Sequence, residues 1–366
     1  MVCLHGTDPA TVHLSAWARV DGMTVADLER ALYVERSLVK HLAMRRTLFV
    51  FPRETLSVAQ AGASARVAGI ERRRLIRDVE RAGLHRDGER WLAAAGERVL
   101  AALGDGREAS SSQLRAEIGL LEGAIVQGEG KSWGGPVPVA PRVLTTLSAA
   151  GLIVRASNDG AWNASRPRWT ATAAWLGAEI EPCSEADGVA GLVERWLRAF
   201  GPGTAADIKW WLGSTVTAVR RALADLDAVE VDLDGQAGYL LPDDLEPVAA
   251  TPPWVALLPP LDPTTMGWSE RDWYVGAHKA QLFDTSGNAG PTAWCDGRIV
   301  GGWRQTDSGR VVLQLLEDVG SETRQALDDE AERLTAWFAG ARVLPRFPSP
   351  LSKAGADQAG RGAQRS

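Results

Sequence analysis

A chain of 366 residues with 45% hydrophobic and 23% charged side chains is long enough for two or three core-burying units and has an ordinary globular composition. No apolar run approaches the ~18 residues that span a membrane, no basic and apolar leader opens the chain, and three scattered cysteines (Cys3, Cys183, Cys295) supply neither a disulfide framework nor a paired metal site. A cytoplasmic, nucleoid-associated monomer without membrane contact, metal or cofactor is therefore expected. The net charge of −6 counts against a nucleic-acid partner, but residues 1–100 hold sixteen Lys/Arg against twelve Asp/Glu, so the rest of the chain carries a deficit of ten. The basic part is N-terminal.

Taken in chain order, three stretches repeat one pattern: a helix, a polar or glycine break, a second helix with apolar residues at helical spacing, and a β-branched hairpin. In the first, "DPATVHLSAWARV" reads as a helix with Pro9 at its first position, "TVADLERALYVER" as a second helix and "SLVKHLAMRRTLFVFP" as a wing. No helix precedes "LHGTD", so a further helix-turn-helix element is expected upstream. The run "ERRRLIRDVERAGLHRDGER" carries Arg72, Arg73, Arg74, Arg77 and Arg81 among Glu71, Asp78 and Glu80, a solvated face laced with ion pairs in preference to a DNA contact. The second copy predicts a helix capped at Ser112, a flexible loop "GEGKSWGGPVPVAP" and a strand pair around Ile153 and Trp169. The third is the clearest. Thr204 reads as an N-cap, Ile208, Trp211 and Leu212 as an apolar face, Gly213 as a break, and Ser214 or Thr215 as the cap of a helix through Leu226, before a small hairpin.

After Pro252, short β-rich runs punctuated by "SGN", "DG" and "DSG" suggest a small antiparallel barrel, closed by a helix from about Ser321 to Ala341. The expected class is α+β: tandem winged helices followed by a small β-barrel. The expected boundaries are 1–85 for a first winged helix with a linker helix, 86–182 and 183–250 for the second and third, 251–345 for the barrel, and 346–366 for a disordered tail. Tandem winged helices track double-stranded DNA through Arg, Lys and helix N-termini. Lys40, Arg45 and Arg46 in the first wing are the best phosphate clamps, with Arg166, Arg168, Arg271, His278 and Asn288 as further DNA contacts; for His278, Arg271 and Asn288, barrel-stabilising hydrogen bonds are the alternative. No P-loop, dinucleotide fingerprint or HExxH zinc motif occurs.

The segments "LHGTDPATVHLSAWARV", "LVKHLAMRRTLFVFP", "LPPLDPTTMGWSERDWYVG" and "LFDTSGNAGPTAWCDGRIVGGW" resemble those of the winged-helix DNA glycosylases of the AlkZ and YcaQ type, with a likeness reaching to about Lys353. This resemblance implies a C-shaped protein around a duplex that excises alkylated purines, including bulky adducts and crosslinks, in repair or in self-resistance to genotoxins. The family's catalytic motif, two glutamines (or glutamine and aspartate) one residue apart, reads "CLHGT" here, so His5 and Thr7 fall on the motif positions; Asp8 is an alternative carboxylate, although its place before Pro9 fits a helix N-cap better. A purine alkylated at N7 or N3 is already cationic, so the protein need only place a water and stabilise an oxocarbenium-like sugar. In this reading His5 accepts a proton from that water, Thr7 holds it by its hydroxyl, and Gly6 lets backbone and DNA approach closely. The alternative is a catalytically silent DNA-binding module or regulator.

Overall fold

The computed structural model describes residues 1–128, 130 and 134–353, and combines helices with five small antiparallel sheets over that range. At the N-terminus β1 (Leu4–His5) pairs with β3 (Thr47–Pro52), which pairs with β2 (Leu38–Ala43), giving the order β1-β3-β2. Alternation buries β3 on both faces: Phe49 and Phe51 enter one apolar cluster, and Val50 enters another with Val12, Leu28 and Leu32. Arg45 and Arg46 form the β2–β3 turn in left-handed conformations, φ 52° and 59°.

Helix α1 (Pro9–Trp17) starts where its sequence requires. The Asp8 carboxylate accepts from the Ala10 N–H at 3.1 Å, and Pro9 occupies the first turn, where its missing N–H costs nothing. α1 then buries Ala10, Leu14 and Trp17 against Leu257, Trp303 and Leu334, so this N-terminal helix shares a core with the C-terminal unit. Buried polar contacts reinforce the docking: Thr11 donates to the Pro260 carbonyl at 2.8 Å and Ser15 to Asp262 at 2.9 Å.

The stretch expected as the third module follows its local signals. A helix Glu185–Phe200 and a strand Gly203–Thr204 precede the helix Ala205–Leu212, where Thr204 and Asp207 form a reciprocal capping box. Gly213 ends that helix in the left-handed region, Thr215 caps Val216–Asp225, and the strands Val229–Leu233 and Gln236–Leu240 form the hairpin. The largest apolar cluster joins this stretch (Trp196, Ile208, Leu223) to the N-terminal sheet (Phe49, Phe51). The two share one core across the expected boundaries.

A glycine pair sets the closest approach in that core. Gly62, in the turn Gln60–Ser64 before the helix Ala65–Arg81, faces Gly188 of Glu185–Phe200, and a Cβ on either would overlap the other's backbone. Gly62→Ala is expected to destabilise the fold by about 2–3 kcal/mol through overpacking. A denaturant midpoint equal to wild type would show that the helices do not meet there.

Residues 65–176 hold a second core around Leu75, Val99, Leu114, Leu144, Ile153 and Trp169. Within it the arginine-rich helix Ala65–Arg81 buries Val67, Glu71, Leu75 and Val79 and pairs its exposed arginines, Arg72 with Glu89 and Arg74 with Asp78. Two expectations are corrected here. The helix Ser111–Glu117 is capped by Ser110, not Ser112, because Gln113 returns the bond to the Ser110 N–H at 2.9 Å. Part of the loop expected to be flexible is a strand, Gly135–Pro138, paired with Ala124–Gln127; Glu129 and residues 131–133 lie outside the described residues.

The expected barrel is instead an open antiparallel sheet in the order Val255–Leu258, Thr292–Cys295, Arg298–Gln305, Val311–Leu315. The helix Ser321–Phe338 contacts both edge strands and buries Leu327, Leu334 and Phe338 on the sheet, covering what strand closure would otherwise cover. Residues 346–353, expected in a disordered tail, are folded: Ser349 is buried and Pro350–Lys353 is helical. The rest of that tail lies outside the described residues. Among those described, no helix is long and apolar enough to cross a membrane.

Candidate active site

The loop from Gly6 to Asp8 leaves β1 and enters α1, and the two motif side chains part company there. The Gly6 N–H donates to the Leu48 carbonyl at 2.8 Å, and a Cβ at Gly6 would press on Leu48 and Phe49. Gly6 therefore permits a close approach of the loop to β3. Strand alternation then turns His5 toward the core. Its ring is 8% exposed, lies edge-on to Phe49 with centroids 5.5 Å apart, and leaves Nδ1 without a partner. It lines a narrow pocket of about 10 Å³ with Cys3, Arg45, Phe200, Trp211 and Met266, room for about one water. Burial, assisted by the Arg45 charge, pushes its pKa down to about 3, so the imidazole is neutral and a weak base.

Thr7 is half-buried and lines a different space, an open cleft of about 410 Å³ between the N-terminal sheet and residues 111–169. Arg46, Arg155 and Arg346 line the same cleft, with the hydroxyl residues Ser111 and Ser165, and no carboxylate lines it among the described residues. Arg346 reaches the loop directly: its guanidinium donates to the Thr7 carbonyl at 3.1 Å and its N–H to Asp8 at 3.4 Å. Asp8 is thus consumed at both oxygens, by Ala10 and Arg346, is 5% exposed, and has a pKa raised by burial. It holds the loop in place. Arg155 lies over the Trp169 ring at 5.2 Å, and Arg46 is aimed by a 2.9 Å ion pair to Glu71, which also binds Arg142 at 3.3 Å. Ser111, Pro141 and Pro167 continue the cleft into a second groove of about 530 Å³ that carries Arg115 and Arg166.

Of the DNA contacts expected from sequence, Arg46 and Arg166 line this continuous groove. The others have partners within the protein. Lys40 lies in β2, not at the wing tip; its ammonium donates to the Tyr33 hydroxyl at 2.6 Å, and burial with the nearby Arg155 charge pushes its pKa down to about 8. Arg45 lies over Trp210 at 4.2 Å. Arg168 pairs with Asp159 at 3.3 Å and donates to the Glu108 carbonyl. Arg271 is 7% exposed, between Trp210 and Phe283, and donates to the Thr265 carbonyl. His278 meets Glu317 at 3.3 Å, and Asn288 donates to Asp284 at 2.9 Å within a tight turn. Contacts of these last three kinds are what the stabilising alternative expects.

Arg155 and Arg346 escaped the sequence reading. One signal was present for Arg155, a lone cation inside the apolar strand "IVRAS"; Arg346 has none, since only tertiary folding returns it to Thr7.

A family model described as DNA glycosylase AlkZ-like matches residues 1–337. The chain belongs to the AlkZ-like DNA glycosylase family. Its likeness to the interstrand DNA cross-link repair glycosylase of Streptomyces sahachiroi is 29% identity over 216 residues, 56% of each chain, so the match spans about half of that relative. The solved structure of Streptomyces sahachiroi DNA glycosylase AlkZ superposes with a TM-score of 0.70 over 93% of this chain and 90% of that one, at 19% identity, a likeness of fold. In this AlkZ-like chain the loop at the expected motif positions sends one side chain, His5, into the core and the other, Thr7, into an arginine-lined cleft.

Proposed function

We propose that this chain is a monofunctional DNA glycosylase that hydrolyses the N-glycosidic bond of purines alkylated at N7 or N3, bulky adducts and crosslinks included, in duplex DNA held along the arginine-lined groove. The observation that carries the reading is Thr7 in a cleft with three arginines and, among the described residues, no carboxylate, next to the loop backbone that Arg346 grips. Such a cleft favours a polyanion over a neutral substrate.

The chemistry suits these residues. In a cationic N7- or N3-alkylpurine the electrons of the breaking C1′–N bond neutralise the leaving base, so no acid is needed. Water adds to the sugar cation at C1′ and releases a proton to solvent. The Thr7 hydroxyl holds that water by accepting a hydrogen bond from it or donating one to its oxygen, and the neighbouring arginines fix the DNA backbone. In this reading the buried, neutral imidazole edge-on to Phe49 takes no part in proton transfer, and His5 acts by packing under the loop.

The test is incubation of the full chain with duplexes carrying a single N7-methylguanine or a bulky N7-alkylguanine, followed by mass spectrometry for free base. Released alkylated base without strand cleavage is expected. Tight, salt-dependent binding with no base released from either duplex would replace the enzyme by a damage-binding module.

A further inference from the structure

We propose that Arg155 and Arg346, with Arg46 across the cleft, form a seat for one DNA backbone phosphate immediately beside Thr7. This rests on the groove being a DNA track, and adds which side chains hold the strand at the reacting nucleotide.

The seat gathers three guanidinium charges that the protein compensates only in part. Arg346, at an exposed position, spends one guanidinium N–H on the Thr7 carbonyl, lines the cleft and has the Asp8 carboxylate nearby. Arg155 is half-buried, its guanidinium 5.2 Å from the centre of the Trp169 ring. Arg46 pairs with Glu71, which is shared with Arg142. Like charges gathered in a partly desolvated cleft oppose one another in the free protein, and an anion among them removes the repulsion. The direction of the Arg155 pKa agrees: burial and the Arg346 charge push it down to about 10, a cost that an oxyanion reverses. A phosphate diester fits better than a carboxylate of another protein, because planar guanidinium forks match two phosphate oxygens and the cleft runs on into a groove carrying Arg115 and Arg166, as a strand with further phosphates requires. Because Arg346 binds the loop backbone and the strand at once, the seat sets the distance between Thr7 and the sugar.

The experiment measures affinity of the full chain for a duplex with one N7-methylguanine across a salt series, for wild type, Arg155→Gln, Arg346→Gln and the surface control Arg324→Gln. Each cleft variant is expected to bind roughly tenfold more weakly and to lower the slope of log K against log salt by about one, with the control unchanged. A neutral methylphosphonate placed beside the lesion is expected to weaken wild type and leave Arg346→Gln unaffected. If Arg155→Gln does not fold, Arg346→Gln, at an exposed position, decides the matter alone. Wild-type slopes in the variants overturn the seat. Stabilisation of wild type by inorganic phosphate that the variants lose, with unaltered DNA slopes, assigns the cluster to free phosphate and also overturns it. A wild-type protein with no salt-dependent DNA affinity brings down the DNA reading itself.

Discussion

Thr7→Val is expected to lower single-turnover base release by about 100-fold or more while DNA affinity stays within about twofold of wild type. Valine keeps the shape of threonine and the backbone carbonyl that Arg346 grips, and removes only the hydroxyl of this cleft-lining residue. Thr7→Ser restores the hydroxyl and is expected to recover most of the rate. The pair separates a water-holding role from packing. Wild-type excision by the valine variant, measured by quenched-flow release of free base, would remove Thr7 from the chemistry.

Asp262→Ala is the variant expected to cost most stability. Asp262 is fully buried and accepts from Arg19 through both guanidinium nitrogens, at 2.6 and 2.9 Å, from Ser15 at 2.9 Å and from the Thr264 N–H at 2.9 Å. Removing one partner of such a pair strands the other charge, and the expected loss is about 3–5 kcal/mol in chemical denaturation. The site feels it as well, because this cluster pins α1, whose first turn carries the Thr7–Asp8 loop. A denaturation midpoint like that of wild type would show that α1 is held by its apolar face alone.

Legibility in the sequence followed the range of the interactions. Helix ends are decided within four residues, so Pro9, Thr204, Gly213 and Thr215 announced themselves, and the Ser110–Ser112 run misled only because three adjacent serines offer the same hydroxyl and Gln113 chooses among them. The C-terminal strands and turns were equally visible. Their closure was not, since an alternating strand reads alike whether another strand or the helix Ser321–Phe338 covers the sheet. The same limit governs charge. Arg271 and His278 are of a type that meets DNA, but Trp210 and Glu317 stand opposite them in the fold, and no local pattern reports that. At the loop, the resemblance paired His5 and Thr7 as motif positions; the bend after β1, with Gly6 held against Leu48, puts them in separate spaces.

The pH dependence of base release from an N7-alkylguanine duplex, at saturating enzyme and corrected for spontaneous loss, discriminates most directly between the two side chains. With Thr7 at the reacting sugar and the His5 imidazole pushed down to about 3, the rate is expected to be flat from about pH 5 to about pH 7.5. A fall toward acid with a midpoint near pH 6.5, abolished by His5→Gln, would place the imidazole in the chemistry and contradict the assignment of Thr7.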